Sequence, residues 1–262
     1  MKLDLTGKHA LVCGASKGIG RATAETLASL GADVTVLSRD RDALDALART
    51  LPKTHGAQKH AWLSADVSNI DALRAAVETM VAAHPVQILI NNTAGPNPGL
   101  LINASGEQFI DTFQRHLLAN HALVQATVGG MKAAGYGRIV NIISTSVKEP
   151  IKNLGVSNTI RGAVASWAKT LAGELAAHGI TVNNVLPGFT RTQRLEQIIE
   201  ERVAATGKPR ADIEAGMLAS VPAARFAEAH EIAAAIAFLA SPAAAYINGI
   251  NVPVDGGRTQ SL

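Results

Sequence analysis

Two groups of residues in this chain have the types and spacing to do chemistry. The first is the stretch GASKGIG, where Gly14, Gly18 and Gly20 follow an apolar run and precede a helical pattern, with Ser16, Lys17 and Ile19 between them. Glycines there permit a tight turn and a close backbone approach, and the N-terminus of the following helix favours a pyrophosphate. The spacing is G-x-x-x-G-x-G, not the commoner G-x-G-x-x-G. The second group lies in VSNTIRGAVASWAKTL, where Ser157 and Arg161 stand four residues apart. That spacing puts both on one face of a helix, so both can point into one cleft. An aliphatic hydroxyl is a far weaker acid than a phenol, and a guanidinium stays protonated. Arg161 can therefore hold ribose hydroxyls, an oxyanion or a substrate carboxylate, but it cannot relay a proton.

The second strand candidate bears on the cofactor. An acidic residue about 20 residues after the glycines would accept a hydrogen bond from the ribose 2′-hydroxyl of NAD. Here the strand ends VLSRD, placing Ser38 and Arg39 at that point and Asp40 one position later. Arg39, with Lys17 from the glycine loop, can pair with a 2′-phosphate instead, so NADP is the expected cofactor. Two solvated surface cations are the alternative.

These residues need a scaffold, and the chain supplies one by alternation. Strand candidates HALVCG, ADVTVLS, HAWLSAD, QILINN, GRIVNIIS, ITVNNVLP and INVPVD are separated by helical stretches at Arg21–Leu30, Ala43–Leu51, Asn69–His84, Glu107–Ala134 and Ser157–His178. The pattern predicts an α/β fold: a Rossmann-like, doubly wound parallel sheet of about seven strands in a single domain, with ligands at the carboxyl ends of the strands. The largely helical stretch from Phe189 to Arg225 breaks the rhythm and is expected to cover the substrate end.

With these motifs placed, the chain resembles the short-chain dehydrogenase/reductase family over essentially all of its 262 residues, and within it the 3-oxoacyl-carrier-protein reductase branch. The resemblance rests on GASKGIG, on SADVS with Asp66 and Val67, and on INNTAG with Asn92, where Ala94 occupies a glycine's place. It extends through NIIS ending at Ser144, ITVNNVLPG with Pro187 and Gly188, Thr192, and VPVDGG. It implies that Asp66 hydrogen-bonds an adenine and that Thr192 touches the nicotinamide amide. It also implies a serine that holds the substrate carbonyl, a tyrosine that exchanges a proton, and a lysine that binds ribose and lowers the tyrosine's pKa. An asparagine on the preceding long helix completes the relay.

Ser144 fits the first of these roles. Ser157 stands where the family has tyrosine, Arg161 where it has lysine, and His116 where it has asparagine, with Asn120 one turn away. The two tyrosines of the chain, Tyr136 and Tyr246, have no lysine four residues later. General acid–base help is typically worth about 10²–10⁴ in rate, so simple ketone reduction is expected to slow while hydride positioning survives. His116, the loop lysines Lys148 and Lys152, or water are the alternative proton sources.

The expected function is thus NADP-dependent hydride transfer to or from a carbonyl-type substrate, 3-oxoacyl-like or another ketone, with an atypical proton donor. The rival is a catalytically idle NADP-binding sensor or complex subunit. A net charge of +3 from 24 basic and 21 acidic residues, with no basic run, argues against nucleic acid, and no apolar stretch is long enough for a membrane span. One cysteine, Cys13, and no export signal point to a reducing cytoplasm and a buried structural thiol. No metal-ligand spacing is present. The resemblance also implies homotetramers or homodimers, paired through the long helices Glu107–Ala134 and Ser157–His178.

Overall fold

A computed structural model describes residues 1–261. The first half runs β1 (His9–Cys13), α1 (Gly18–Ser29), β2 (Asp33–Ser38), α2 (Arg41–Thr50), β3 (His60–Ser64), α3 (Ile70–Ala83) and β4 (Ile88–Asn91). There follow α4 (Gly106–Phe113), α5 (Ala119–Ala134), β5 (Gly137–Ile142), α6 (Gly155–Leu175) and β6 (Ile180–Pro187). The chain ends with β7 (Thr190–Arg191), α7 (Gln193–Thr206), α8 (Arg210–Leu218), β8 (Ala227–Glu228), α9 (Ala229–Ala240) and β9 (Asn251–Val254).

Seven strands form one parallel sheet in the order β3-β2-β1-β4-β5-β6-β9, and the two-residue strands β7 and β8 pair separately. The order reverses between β1 and β4, the switch point where such sheets bind ligands. Helices cover both faces, so strand residues are apolar in both directions. Ala10, Val12, Ile88 and Ile90 pack with Leu27, Ala28, Ile232 and Ile236 on one side. Leu11, Cys13 and Leu89 pack with Leu73, Val77, Leu123 and Val182 on the other. Burial pushes the Cys13 thiol up to about 12, which makes it inert.

The predicted strands are all present, with ends trimmed by one or two residues. Helix α9 was not among the expected elements, because its alanine-rich stretch AHEIAAAIAFLA has no polar face to mark a period. It packs on α1 with small residues on both sides, among them Ala24, Ala28 and Ala237. The helix expected from Glu107 to Ala134 is divided: a π-helical stretch, Gln114–Leu118, separates α4 from α5. Such insertions change the facing of the residues they contain, and this one buries His116.

Four neighbouring strands, β4, β5, β6 and β9, carry asparagines that bond side chain to side chain across the sheet. Asn91 Nδ2 donates to Asn141 Oδ1, Asn141 Nδ2 to Asn184 Oδ1 and Asn184 Nδ2 to Asn251 Oδ1, each at 2.8 Å. The strand register places these residues directly opposite one another.

Candidate active site

The glycine loop closes over the ends of β1 and β4. A Cβ on Gly14 would come within 2.7 Å of the Asn92 amide nitrogen, and one on Gly20 within 2.2 Å of the Gly14 carbonyl oxygen, so neither position has room for a side chain. Gly18 has φ +58, and its missing Cβ would face Thr192 Cγ2 at 3.3 Å. Asn92 Nδ2 donates to the Gly14 carbonyl at 3.3 Å, tying the loop after β4 to the glycine turn. No side chain caps the N-terminus of α1, where Lys17 holds the N-cap position. Such a cradle, with first-turn N–H groups uncapped, fits a dinucleotide pyrophosphate. Ser16 is half-buried in the turn, and Ile19 packs on the apolar core beneath it.

The adenosine end is more open. Arg39 is largely exposed, and its Nη1 stands 3.9 Å from Asp66 Oδ2. Ser38 accepts the Asp40 N–H, and Asp40 is itself the N-cap of α2, accepting from Ala43 N at 3.1 Å. The acid that competes with Arg39 in the sequence is therefore engaged in holding a helix. Asp66 accepts from the Ser68 N–H and hydroxyl, which hold its carboxyl below the usual range, and Val67 packs against the core. At the opposite end of the cleft, a Cβ on Gly188 would meet Asp255 Cα at 2.6 Å, which explains a glycine after Pro187. Thr192 caps α7.

The catalytic candidates converge around one buried cation. Arg161 is 8% exposed, and its Nη1 donates to the Ile142 carbonyl at 3.0 Å while Nη2 donates to the Thr93 carbonyl at 3.4 Å. It thereby fastens the loop after β4 to the end of β5. Its Nε is buried without a partner, and burial lowers its pKa to about 10, so it remains charged at neutral pH. Ser144, two residues past Ile142, caps a short 3-10 turn by accepting the Ser146 N–H at 3.1 Å. Helix α6 begins at Gly155, two residues before the expected start, and Leu101 crosses there so closely that a Cβ would lie 2.6 Å from its Cα, which leaves room only for glycine. Ser157 thus occupies the first turn, half-buried and with no side-chain hydrogen bond among the described residues.

His116 joins this cluster as a buried ring. Burial, then the charges of Arg161 and Arg115, push its pKa down to about 2, against the opposing hydrogen bond to the Ala94 carbonyl. The lowered pKa leaves the ring uncharged near neutral pH, and its N–H bonds the Ala94 carbonyl, which favours a positioning role over that of a cationic acid. The linkage has a definite sign. Between about pH 2 and 6.5 the unfolded chain binds a proton here that the folded chain does not, so stability falls as pH falls through this window. Acidification should cost up to about 1.4 kcal/mol per pH unit from this group, and His116→Asn should flatten the slope in denaturant melts across pH 4–6.5. An unchanged slope would refute the assignment.

Two features escaped the sequence reading. The asparagine ladder was visible only as asparagines scattered through four strand candidates. The other is Arg258, directly after VPVDGG: its guanidinium lies 4.7 Å above the Phe189 ring, and its Nη1 donates to Thr145 Oγ1 at 3.2 Å. Both residues border a cavity of about 360 Å³ between the loop after β5 and helices α7 and α8, with Lys152 on its wall.

Comparison with known proteins agrees with this geometry. Residues 14–259 match the family profile described as enoyl-(acyl carrier protein) reductase. The chain is 36% identical over 258 residues to the 3-oxoacyl-[acyl-carrier-protein] reductase FabG of Escherichia coli, covering 97% of this chain and 98% of that one. It is 30% identical over 260 residues to the NADPH-dependent reductase BacG of Bacillus subtilis, covering 98% and 100%. The structure of L-sorbose reductase from Gluconobacter frateurii, complexed with NADPH and L-sorbose, superposes with a TM-score of 0.93 at 29% identity and full coverage of both chains. With the sheet order, the glycine cradle and the residues at the strand ends already in place, these matches show that the chain belongs to the short-chain dehydrogenase/reductase family of oxidoreductases.

Proposed function

We propose that the protein is an NADPH-dependent reductase of a ketone-type carbonyl whose active site works around a fixed cation, Arg161, without a tyrosine–lysine pair. A bound nicotinamide supplies the hydride. Ser144 and Ser157 contribute hydroxyls at the substrate oxygen, and Arg161 keeps a permanent positive charge beneath them while pinning the loop at Thr93 to β5. In this reading the proton that completes the alcohol comes from water, with Lys148 and Lys152 of the loop after β5 as alternative donors. The observation that carries this reading is the pairing of an intact glycine cradle with a buried, ordered Arg161. A decayed site would have no reason to keep a charged group bonded at both ends.

Helices α7 and α8 act in this reading as the cover of the substrate end, joined by their own small core of Leu195, Ile199, Met217 and Phe226. Association into dimers or tetramers belongs to the same reading, supported by Ile110, Phe113 and Leu118, which stand exposed along α4 and the π-helical stretch. So does a cytoplasmic setting; no helix among the described residues is long and apolar enough to cross a membrane.

Purified protein with NADPH and a panel of ketones, diketones, quinones and imines tests the activity; absence of turnover throughout would favour an idle cofactor-binding protein. Cofactor choice is tested separately. NADPH should bind roughly tenfold more tightly than NADH, since Arg39 and Lys17 flank the expected 2′-phosphate, and Arg39→Ala should abolish most of that difference. Fluorescence titrations showing equal affinities, or undiminished discrimination in the variant, would remove the assignment.

A further inference from the structure

Next to Ser144 lies a set of charges that hydride transfer does not use. The cavity between the loop after β5 and helices α7 and α8 carries Lys152, Arg202 and Arg258 against one carboxylate, Glu149. Glu149 is already engaged, accepting the N–H groups of Gln260 and Ser261 at 2.6 and 2.7 Å. Among the described residues none of the three cations has a carboxylate within ion-pair distance, whereas Arg191, Arg210 and Arg225 of the same covering region are each paired with glutamate.

Arg258 is the most constrained of the three. Its guanidinium stacks on Phe189, which is itself held edge-on against Phe226, and Nη1 is anchored to Thr145. Its Nε is buried with no partner. A guanidinium fixed in place with an idle buried donor carries a desolvation cost that an incoming anion would relieve, and its planar fork suits a carboxylate. Thr145 directly follows Ser144, so an anion seated on Arg258 lies beside the hydroxyl assigned to the carbonyl.

We propose that this cavity holds a carboxylate carried by the substrate itself, so that the reaction is reduction of a small oxo acid in preference to a neutral ketone. Arg258 supplies the rigid fork, and Arg202 and Lys152 add charge from the cover and the loop. Because Arg202 lies on α7, an anionic substrate also draws the cover toward the sheet. The inference rests on the reductase reading above, and the balance is that of a simple reduction: hydride to the carbonyl carbon, a proton from water to its oxygen, the carboxylate unchanged.

The test compares 2-oxobutanoate, 4-oxopentanoate and 5-oxohexanoate with their methyl esters, using full-length protein and saturating NADPH. At least one acid should exceed its ester in kcat/KM by about 10–100-fold, the range expected for one or two charged hydrogen bonds. Arg258→Met should collapse that ratio mainly through the KM for the acid, and Arg202→Met should reduce it. Equal rates for acid and ester, or a ratio untouched in Arg258→Met, overturn the proposal. If nothing turns over, the reductase reading fails and the pocket is judged by calorimetry on the NADP-loaded protein. Acid binding lost in Arg258→Met upholds the pocket, and no acid binding overturns it. Competition by 4′-phosphopantetheine, lost in Arg258→Met and without any preference for acids, would assign the anion to a carrier arm and likewise overturn the carboxylate.

Discussion

Gly18→Val is expected to raise the dissociation constant for NADPH by about 10²–10⁴, the loss that follows if two charged hydrogen bonds from the glycine turn to the pyrophosphate can no longer form. The residue sits at φ +58, where a β-branched side chain is strained, and the new side chain would enter the gap toward Thr192 Cγ2, 3.3 Å from where its Cβ begins. Thr192 is the N-cap of α7, so the intrusion also disturbs the start of that helix. The sheet should survive, because Gly18 is only half-buried at the first turn of α1 and the strand core does not depend on it. Fluorescence titration with NADPH, alongside circular dichroism for the fold, checks both halves. A folded variant that binds like the unaltered chain would mean the glycine turn is not the pyrophosphate site.

Arg161→Lys should lower kcat by about 10–100-fold at saturating NADPH, corresponding to one charged hydrogen bond of about 1.5–3 kcal/mol. A lysine restores the residue type its relatives' motif implies, yet the guanidinium here spans two carbonyls on different elements, Ile142 and Thr93, and an ammonium is a single point that cannot reach both in the same geometry. If the site is specialised, Ser157→Tyr combined with Arg161→Lys lowers turnover of the best substrate further, since the phenol fills the space above Ser157. If instead the pair is a relic, the double variant becomes the better ketone reductase. Unchanged kinetics in Arg161→Lys would sink the role given to the guanidinium.

The sheet was legible because each strand is a short apolar run bounded by turn residues, and because GASKGIG lies between a strand and a helix. Helix α9 was not, since alanine and isoleucine on every side leave no periodic signal. The π-helical stretch was hidden for a different reason: Gln114–Leu118 obeys ordinary helical propensity, and only packing against Arg161 and Ala94 shows that His116 turns inward. That same burial decides its chemistry, which a residue type alone leaves open. Ser157 and Arg161 could be paired on one helix face from their spacing, but the carbonyls that hold Arg161 come from segments 68 and 19 residues away in sequence. Arg258 illustrates the same limit: nothing local to VPVDGGR says that Phe189 and Thr145 will lie beneath it.

The asparagine ladder has a consequence for when the molecule can finish assembling. Its links join strands far apart in the chain, and the last, from Asn184 to Asn251, spans 67 residues and cannot form until β9 has been made. Until β9 arrives, the Nδ2 donor of Asn184 lacks its Asn251 partner at a position that becomes 3% exposed in the finished molecule, while Oδ1 is already bonded to Asn141. A nascent chain that has not yet reached β9 therefore presents an edge with a hydrogen-bonding group that the next strand must match in register. Long-range parallel pairing of this kind is slow and leaves strand edges open in the interval. The ladder thus makes completion of the sheet wait for β9 and favours the register in which Asn251 meets Asn184.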